Sequence, residues 1–219
     1  RGRLPDTPRT ALELEGWKEQ AAVFSAALID LVSEPLKRKE MSVTVDDYEL
    51  SASLWVSGTS IIFWRPADPK GKDLVRMWLH HLVASLACEQ DPTLEIETTK
   101  GLYRDQKNDG YTILEFSPAT EPKEELKKWL TYREEGLQSP RLTNAELAKK
   151  IFEKKRAGKP FSSSDFDSIW CDSFTQRGLS FDPYIQWFWD KTPEWPGPWE
   201  QEIESLYNTL FCSLKEGDK

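Results

Sequence analysis

Histidine and cysteine are scarce in this chain. Among 219 residues there are two histidines and three cysteines, and Cys88, Cys171 and Cys212 lie far apart. No CxxC pair and no Cys/His pair at zinc spacing occurs, so the usual structural zinc modules are excluded and no metal site is signalled. Isolated cysteines at apolar positions are usually small core residues of a reducing compartment, which makes the cytoplasm the expected location. No apolar run approaches the roughly 18–20 residues of a membrane helix, and no secretory leader is visible. The phosphate-cradling GxxxxGKS/T motif, the GxSxG elbow and a cysteine-nucleophile motif are all missing, so no cofactor or ATP site is implied. The chain opens at Arg1, and its RGRLPDTPRT start reads as a linker, as in a piece of a larger protein.

Positive charge is also in short supply. Lys and Arg number 29 against 37 Asp and Glu, a net charge of −8. That argues against a surface wholly given to nucleic acid, while leaving room for a local basic patch. What is abundant is tryptophan: ten residues, six of them (Trp129, Trp170, Trp187, Trp189, Trp195, Trp199) in the later part of the chain. Tryptophan fills cores first and anchors interfaces second. With 38% apolar and 30% charged residues, the composition is that of a folded protein able to bury one sizeable core or two small ones.

The apolar periodicity predicts a helix over 10–34, capped by Thr10 and stopped by Pro35 and KRKE, with a stripe including Leu12, Val23, Phe24, Ala27 and Leu31. Three short strands follow at 41–46, 48–56 and 60–65, the last two joined by a tight SGT turn. A helix is predicted over 73–87, then strands at 93–98 and 111–116 around an RDQKNDG turn, then a helix over 120–137. Beyond that come a helix over 144–157 ending in a basic run, a short helix capped by SSSD and passing through Ile169, Trp170 and Phe174, an aromatic and proline-rich segment, and an amphipathic helix over 200–215. The order implies an α/β or α+β core of about five strands. The expected division is a linker at 1–9, a core at 10–140 and a helical, aromatic-rich C-terminal extension at 141–219 packed on that core.

Candidate chemistry is thin. His80 and His81 are helix neighbours pointing about 100° apart, so they cannot serve one small site together. Glu95, Glu97 and Lys100 have the residue types of a metal-dependent nuclease, but Leu94 and Ile96 claim the core and leave both glutamates facing solvent. Asp46 and Asp47 suit a turn. Lys149, Lys150, Lys154, Lys155 and Arg156 could meet a DNA backbone, or could simply complement a helix C-terminus. No catalytic constellation assembles, and the residues read as those of a domain that binds something.

The stretch IIFWRP (61–66), followed by MWLHHLV (77–83) and preceded by ASLWV (52–56), resembles the C-terminal domain of the exonuclease V gamma subunit, RecC. Tyr132–Gly136 (YREEG) with Ser139 and Pro140, and the late aromatic region, extend the likeness. The resemblance implies a restriction-endonuclease-like core of the PD-(D/E)xK type. Carried over by position, the first metal-binding Asp falls near Trp55, the second acid at Phe63, the lysine at Arg65, and a helix element around Arg76–Trp78. Bulky apolar groups cannot ligate a hard cation, so the resemblance implies a domain without nuclease activity. It further implies a scaffold role in the RecBCD helicase–nuclease of double-strand break repair and homologous recombination. The implied partners are RecB, RecD and the other domains of RecC, with double- and single-stranded DNA reached through the complex. Trp187, Trp189, Trp195 and Trp199 are the expected partner-binding residues. The alternatives are an active metal-dependent nuclease using Glu95, Glu97 and Lys100, or a free-standing DNA-binding module using the basic run.

Overall fold

The computed structural model describes residues 7–105, 110–171, 173, 177–189, 191–197 and 199–216. Most of the expected linker (residues 1–6), the centre of the RDQKNDG turn and Phe174 lie outside the described residues.

Helix α1 (Pro8–Leu31) begins one turn earlier than Thr10: Thr7 is the cap, its hydroxyl accepting from the Thr10 amide at 3.2 Å, and Pro8 takes the first helical position, where its missing N–H costs nothing. The apolar stripe of α1 is present, but most of it is not buried. Ala27 is in the core, whereas Leu12, Trp17, Val23 and Ile29 are exposed. KRKE does not simply end the helix. It opens strand β1 (Lys37–Val45), whose alternation sends Met41, Val43 and Val45 inward and Arg38 and Glu40 to the opposite face. β1 pairs antiparallel with β2 (Tyr48–Ser57) along its whole length, from Lys37↔Val56 to Val45↔Tyr48. Asp46 occupies the left-handed region at the turn (φ 51°), a conformation its short polar side chain tolerates. β2 returns into β3 (Ser60–Arg65) through Gly58, at φ 55°, where a Cβ would lie 3.0 Å from Ser33 Oγ.

Helix α2 (Gly71–Gln90) crosses over from β3 to the parallel strand β4 (Thr98–Asp105). The strand expected at 93–98 is displaced. Leu94 and Ile96 do pack on the core and Glu95 and Glu97 are exposed, but regular pairing starts at Thr98, opposite Ser60. β5 (Gly110–Phe116) is antiparallel to β4, and α3 (Pro122–Gln138) follows. Then come α4 (Ala145–Arg156), capped by Asn144, and α5 (Ser163–Trp170), capped by a Ser162–Asp165 capping box. α6 (Pro183–Phe188) and α7 (Trp199–Ser213) complete the helices. The helix expected through Lys215 stops at Ser213, and Leu214–Glu216 form β6, antiparallel to β5.

Among the described residues the sheet therefore has six strands rather than about five, in the order β1-β2-β3-β4-β5-β6, with only β3 and β4 parallel among neighbours. α2 lies on one face, and its buried Leu74, Met77, Trp78, Leu82 and Leu86 join inward residues of the sheet in one hydrophobic cluster. Leu147 and Ile151 of α4 and Ile203, Leu206 and Leu210 of α7 belong to that same cluster. A Cβ on Gly71 would lie 2.2 Å from the Ala145 carbonyl oxygen, so glycine allows the starts of α2 and α4 to touch. No helix among the described residues is long and apolar enough to cross a membrane.

One irregularity of the sheet positions the candidate site. β2 and β3 are paired only beside their turn, at Val56↔Ile61 and Ser57↔Ser60. From there β2 stays with β1, while β3 runs with β4 as far as Arg65↔Tyr103. The sheet forks into two wings.

Candidate functional site

The fork holds a shallow cavity of about 300 Å³. β1 contributes Arg38, β2 contributes Ser53, Leu54 and Trp55, β3 contributes Ile62, Phe63 and Trp64, and α2 contributes Arg76 and His80. Alternation sorts these side chains. Leu54 and Val56 face the α2 side, with the core, so Trp55 faces away from it. Phe63 stacks on His80 of α2 with ring centroids 5.5 Å apart, and Arg65 ion-pairs with Asp73 of α2, so Trp64 between them faces away as well. Trp55 and Trp64 meet on that far face, centroids 6.2 Å apart and planes at 53°. They remain 44% and 38% exposed.

This sorting refines the positional reading. Phe63 and Arg65 share the α2 side, where an acid and a lysine would have to converge, and Trp55 does not. The β2 residues on that side are Leu54 and Val56, which are apolar too. Whichever β2 position is compared, no carboxylate faces Phe63 and Arg65 from that strand. Arg65 has a fixed task instead: its guanidinium is bound to Asp73, which also accepts from the Lys70 amide at 3.0 Å to close the first turn of α2. Asp73 was not singled out from sequence. Its spacing after the PADPKGK loop, one turn into a helix, is the signal that could have found it.

His80 and His81 diverge as helix geometry requires. His81 is 2% exposed, sandwiched against Trp78 and Phe116 at 5.5 Å each, and shares a 3.0 Å hydrogen bond between Nδ1 and Thr99 Oγ1. Burial pushes its imidazole down to about 4, against a weaker upward pull from the Ser117 backbone. His80 is also pushed down, by burial and then by the nearby Arg76 charge. Both rings are neutral at pH 7.

Glu95 and Glu97 are exposed, and Glu97 is engaged with Thr59: its amide donates to the Thr59 carbonyl at 2.8 Å and its Oε2 accepts from the Thr59 hydroxyl at 3.1 Å. Lys100 lies further along, on β4, paired with Ile62 and Glu115. Among the described residues, no group of three or more His, Cys, Asp and Glu side chains is placed to hold a metal ion.

The comparison with known families bears on these observations together. The family model of the RecC C-terminal domain matches residues 1–156. The chain belongs to that family. No curated protein matches the chain. RecC is a subunit of exodeoxyribonuclease V, the RecBCD complex of DNA repair. The match to the RecC domain runs from the start of the sequence to the last residue of α4 and so includes the fork, while α5, α6, α7 and β6 follow it.

Within this RecC-type domain the basic run on α4 is largely spoken for. Lys149 donates to the Pro69 carbonyl and lies 3.7 Å from Glu153. Lys154 pairs with Asp165 at 2.8 Å, Lys155 with Glu204 at 3.2 Å, and Arg156 donates to the carbonyls of Phe211 and Leu214 at 3.0 and 3.4 Å. Lys154 and the Ser162 cap hold the Asp165 carboxyl down at about 2. Among the described residues, only Lys150 of the five is exposed with neither an ion pair nor a hydrogen bond from its side chain.

The late tryptophans separate into two kinds. Trp195 and Trp199 are partly buried, packed on each other at 5.0 Å and on Phe166 at 5.8 and 5.3 Å. Trp189 is also partly buried against the core. Trp187 is 85% exposed and is flanked on α6 by exposed Tyr184 and Phe188. Tyr184 and Phe188 had no separate signal, since α6 is too short for a periodic stripe.

Proposed function

We propose that the chain is a catalytically inactive, nuclease-like scaffold domain of a RecBCD-type helicase–nuclease, acting in double-strand break repair and homologous recombination in the cytoplasm. Its partners are RecB, RecD and the remaining domains of RecC, with DNA reached through the assembled complex. It seats RecD and helps part the strands. The single observation that carries the reading is the state of the fork. Where a nuclease of the PD-(D/E)xK type needs an acid and a lysine on one strand, there stand Phe63 stacked on His80 and Arg65 ion-paired to Asp73. The element order supports the nuclease-like ancestry: a helix, a three-strand meander, a crossover helix and a parallel strand set adjacent strand ends beside a helix.

Exposed apolar residues on two helices support the scaffold role. α1 presents Leu12, Trp17, Val23 and Ile29, and α6 presents Tyr184, Trp187 and Phe188. Surfaces of this kind mark interaction sites. The α6 face is assigned to RecD, with Trp187 as its anchor.

The test has two arms. With linear duplex DNA and magnesium or manganese, the chain is expected to cleave nothing; metal-dependent cleavage that disappears in Glu97→Ala would overturn the reading. In a pull-down with RecD, the triple change Tyr184→Ser, Trp187→Ser, Phe188→Ser is expected to abolish capture. Deleting everything after Phe161 is a poorer test, because it also strips Ile203, Leu206, Leu210 and β6 from the fold.

A further inference from the structure

The far face of the fork has features that a scaffold alone does not require. Trp55 and Trp64 expose two adjacent indole faces set at 53° to each other, an angled shelf in the middle of a sheet. No carboxylate lines the cavity below them, although the chain as a whole carries a net charge of −8. Two arginines line it instead: Arg38 of β1, on the same face as the indoles, and Arg76 of α2, on the other face of the sheet. Arg76 has no ion pair or hydrogen bond from its side chain among the described residues. Arg38 donates to the Ser53 hydroxyl and lies 3.5 Å from Glu40, an exposed network whose ion pair costs little to give up. Two partly exposed indoles with guanidinium groups nearby match a ligand with flat π-systems joined by anionic links.

We infer that the Trp55–Trp64 shelf, with Arg38 and Arg76, binds a short single-stranded nucleic-acid segment. One base stacks on each indole; a phosphate beside them meets Arg38 on the same face, and the phosphate between them dips into the gap between β2 and β3, which Arg76 lines from the α2 side. The site reads no sequence, because stacking accepts every base and the arginines meet the backbone. Duplex DNA is excluded, since its bases are already stacked on one another. The inference rests on the reading of the chain as part of a DNA-processing assembly, but it occupies a face separate from α6.

Anisotropy of a fluorescein-labelled oligo(dT), titrated with the full chain at low salt, tests it. Binding is expected. Trp55→Ala and Trp64→Ala each weaken it by about fivefold to a hundredfold, the range of one lost base stack. Trp64→Phe retains most of it. Arg76→Gln lowers the slope of log affinity against log salt by about 0.7, the share of one phosphate contact on a single strand. Glu40→Gln, by removing the competing carboxylate, tightens binding. Both tryptophans are partly solvent-exposed, and circular dichroism of each variant verifies that the fold survives. Absence of oligonucleotide binding at low salt overturns the proposal. So does equal affinity for duplex, or binding that ignores Trp55 and Trp64 and is lost on changing Lys150. Loss of RecD capture in Trp55→Ala/Trp64→Ala with no oligonucleotide binding would assign the shelf to a protein instead. RecD capture that survives in that variant while oligonucleotide binding is lost supports the shelf and leaves the scaffold reading to its own test.

Discussion

Asp73 serves two elements at once, closing the first turn of α2 and holding Arg65 at the end of β3. Asp73→Ala is expected to cost about 1–3 kcal/mol, the sum of a lost cap and an orphaned, partly buried guanidinium. Urea unfolding measures it. The cost in Asp73→Ala combined with Arg65→Met is expected to fall short of the two single costs added together, because the pair is coupled. His81 supplies a pH dependence. Its imidazole titrates near 4 in the fold and near 6.5 when unfolded, so the unfolded chain takes up the proton first. Stability is complete above about pH 6.5 and is lost as pH falls towards 4, by about 2–3 kcal/mol at pH 4.5. His80, shifted down by burial and by the Arg76 charge, contributes a loss of stability in the same direction as pH falls. Unfolding curves at pH 7 and 4.5 are expected to lie closer together in His81→Leu than in the parent chain, whatever the absolute stability of the variant.

At the scale of elements, α4 is tied in by its own charges. Lys154 reaches α5, Lys155 reaches α7, and Arg156 spans the α7–β6 junction. Arg156→Ala is expected to lower stability by about 1–3 kcal/mol, since it leaves two carbonyls without a charged donor, and to leave oligonucleotide affinity unchanged; a melt and an anisotropy titration read the two quantities. The elements themselves were legible in uneven measure. β3 is read correctly to the residue because an apolar run ends at a Gly-containing turn on one side and a proline on the other. β4 is misplaced because TLEIET alternates well, and alternation reports which side is apolar, not where a hydrogen-bonding partner begins. β6 is invisible because Leu214 continues the stripe of α7, and only contact with β5 ends the helix. α1 shows the converse: its stripe is plain in the sequence, but nothing in the periodicity tells whether a face within the same chain will cover it. The fork was legible only as a loss of acids. Its basic and aromatic far face depends on the pairing that sets Arg38 beside Trp55 across β1 and β2.

For the whole molecule, the balance of surface is unusual: strongly acidic overall, with bare aromatic residues on α1 and α6. Net repulsion and apolar attraction therefore oppose each other between copies. Added salt screens the first and spares the second, so self-association is expected to rise with ionic strength. Sedimentation velocity at 50 mM and 500 mM salt measures it, and Trp187→Ser combined with Trp17→Ser is expected to keep the chain monomeric in both.

The strand that completes the sheet also arrives last. Leu214, Lys215 and Glu216 cover the outer edge of β5, whose own residues leave the ribosome far earlier. Until they emerge, that edge has no strand partner among the described residues, and an unpaired edge is a template for another molecule. The interval between making β5 and making β6 is thus a window of vulnerability, closed by a three-residue strand. Slower elongation through α5, α6 and α7 would lengthen it, so the yield of properly folded chain is expected to fall as translation slows, a dependence that the finished structure no longer displays.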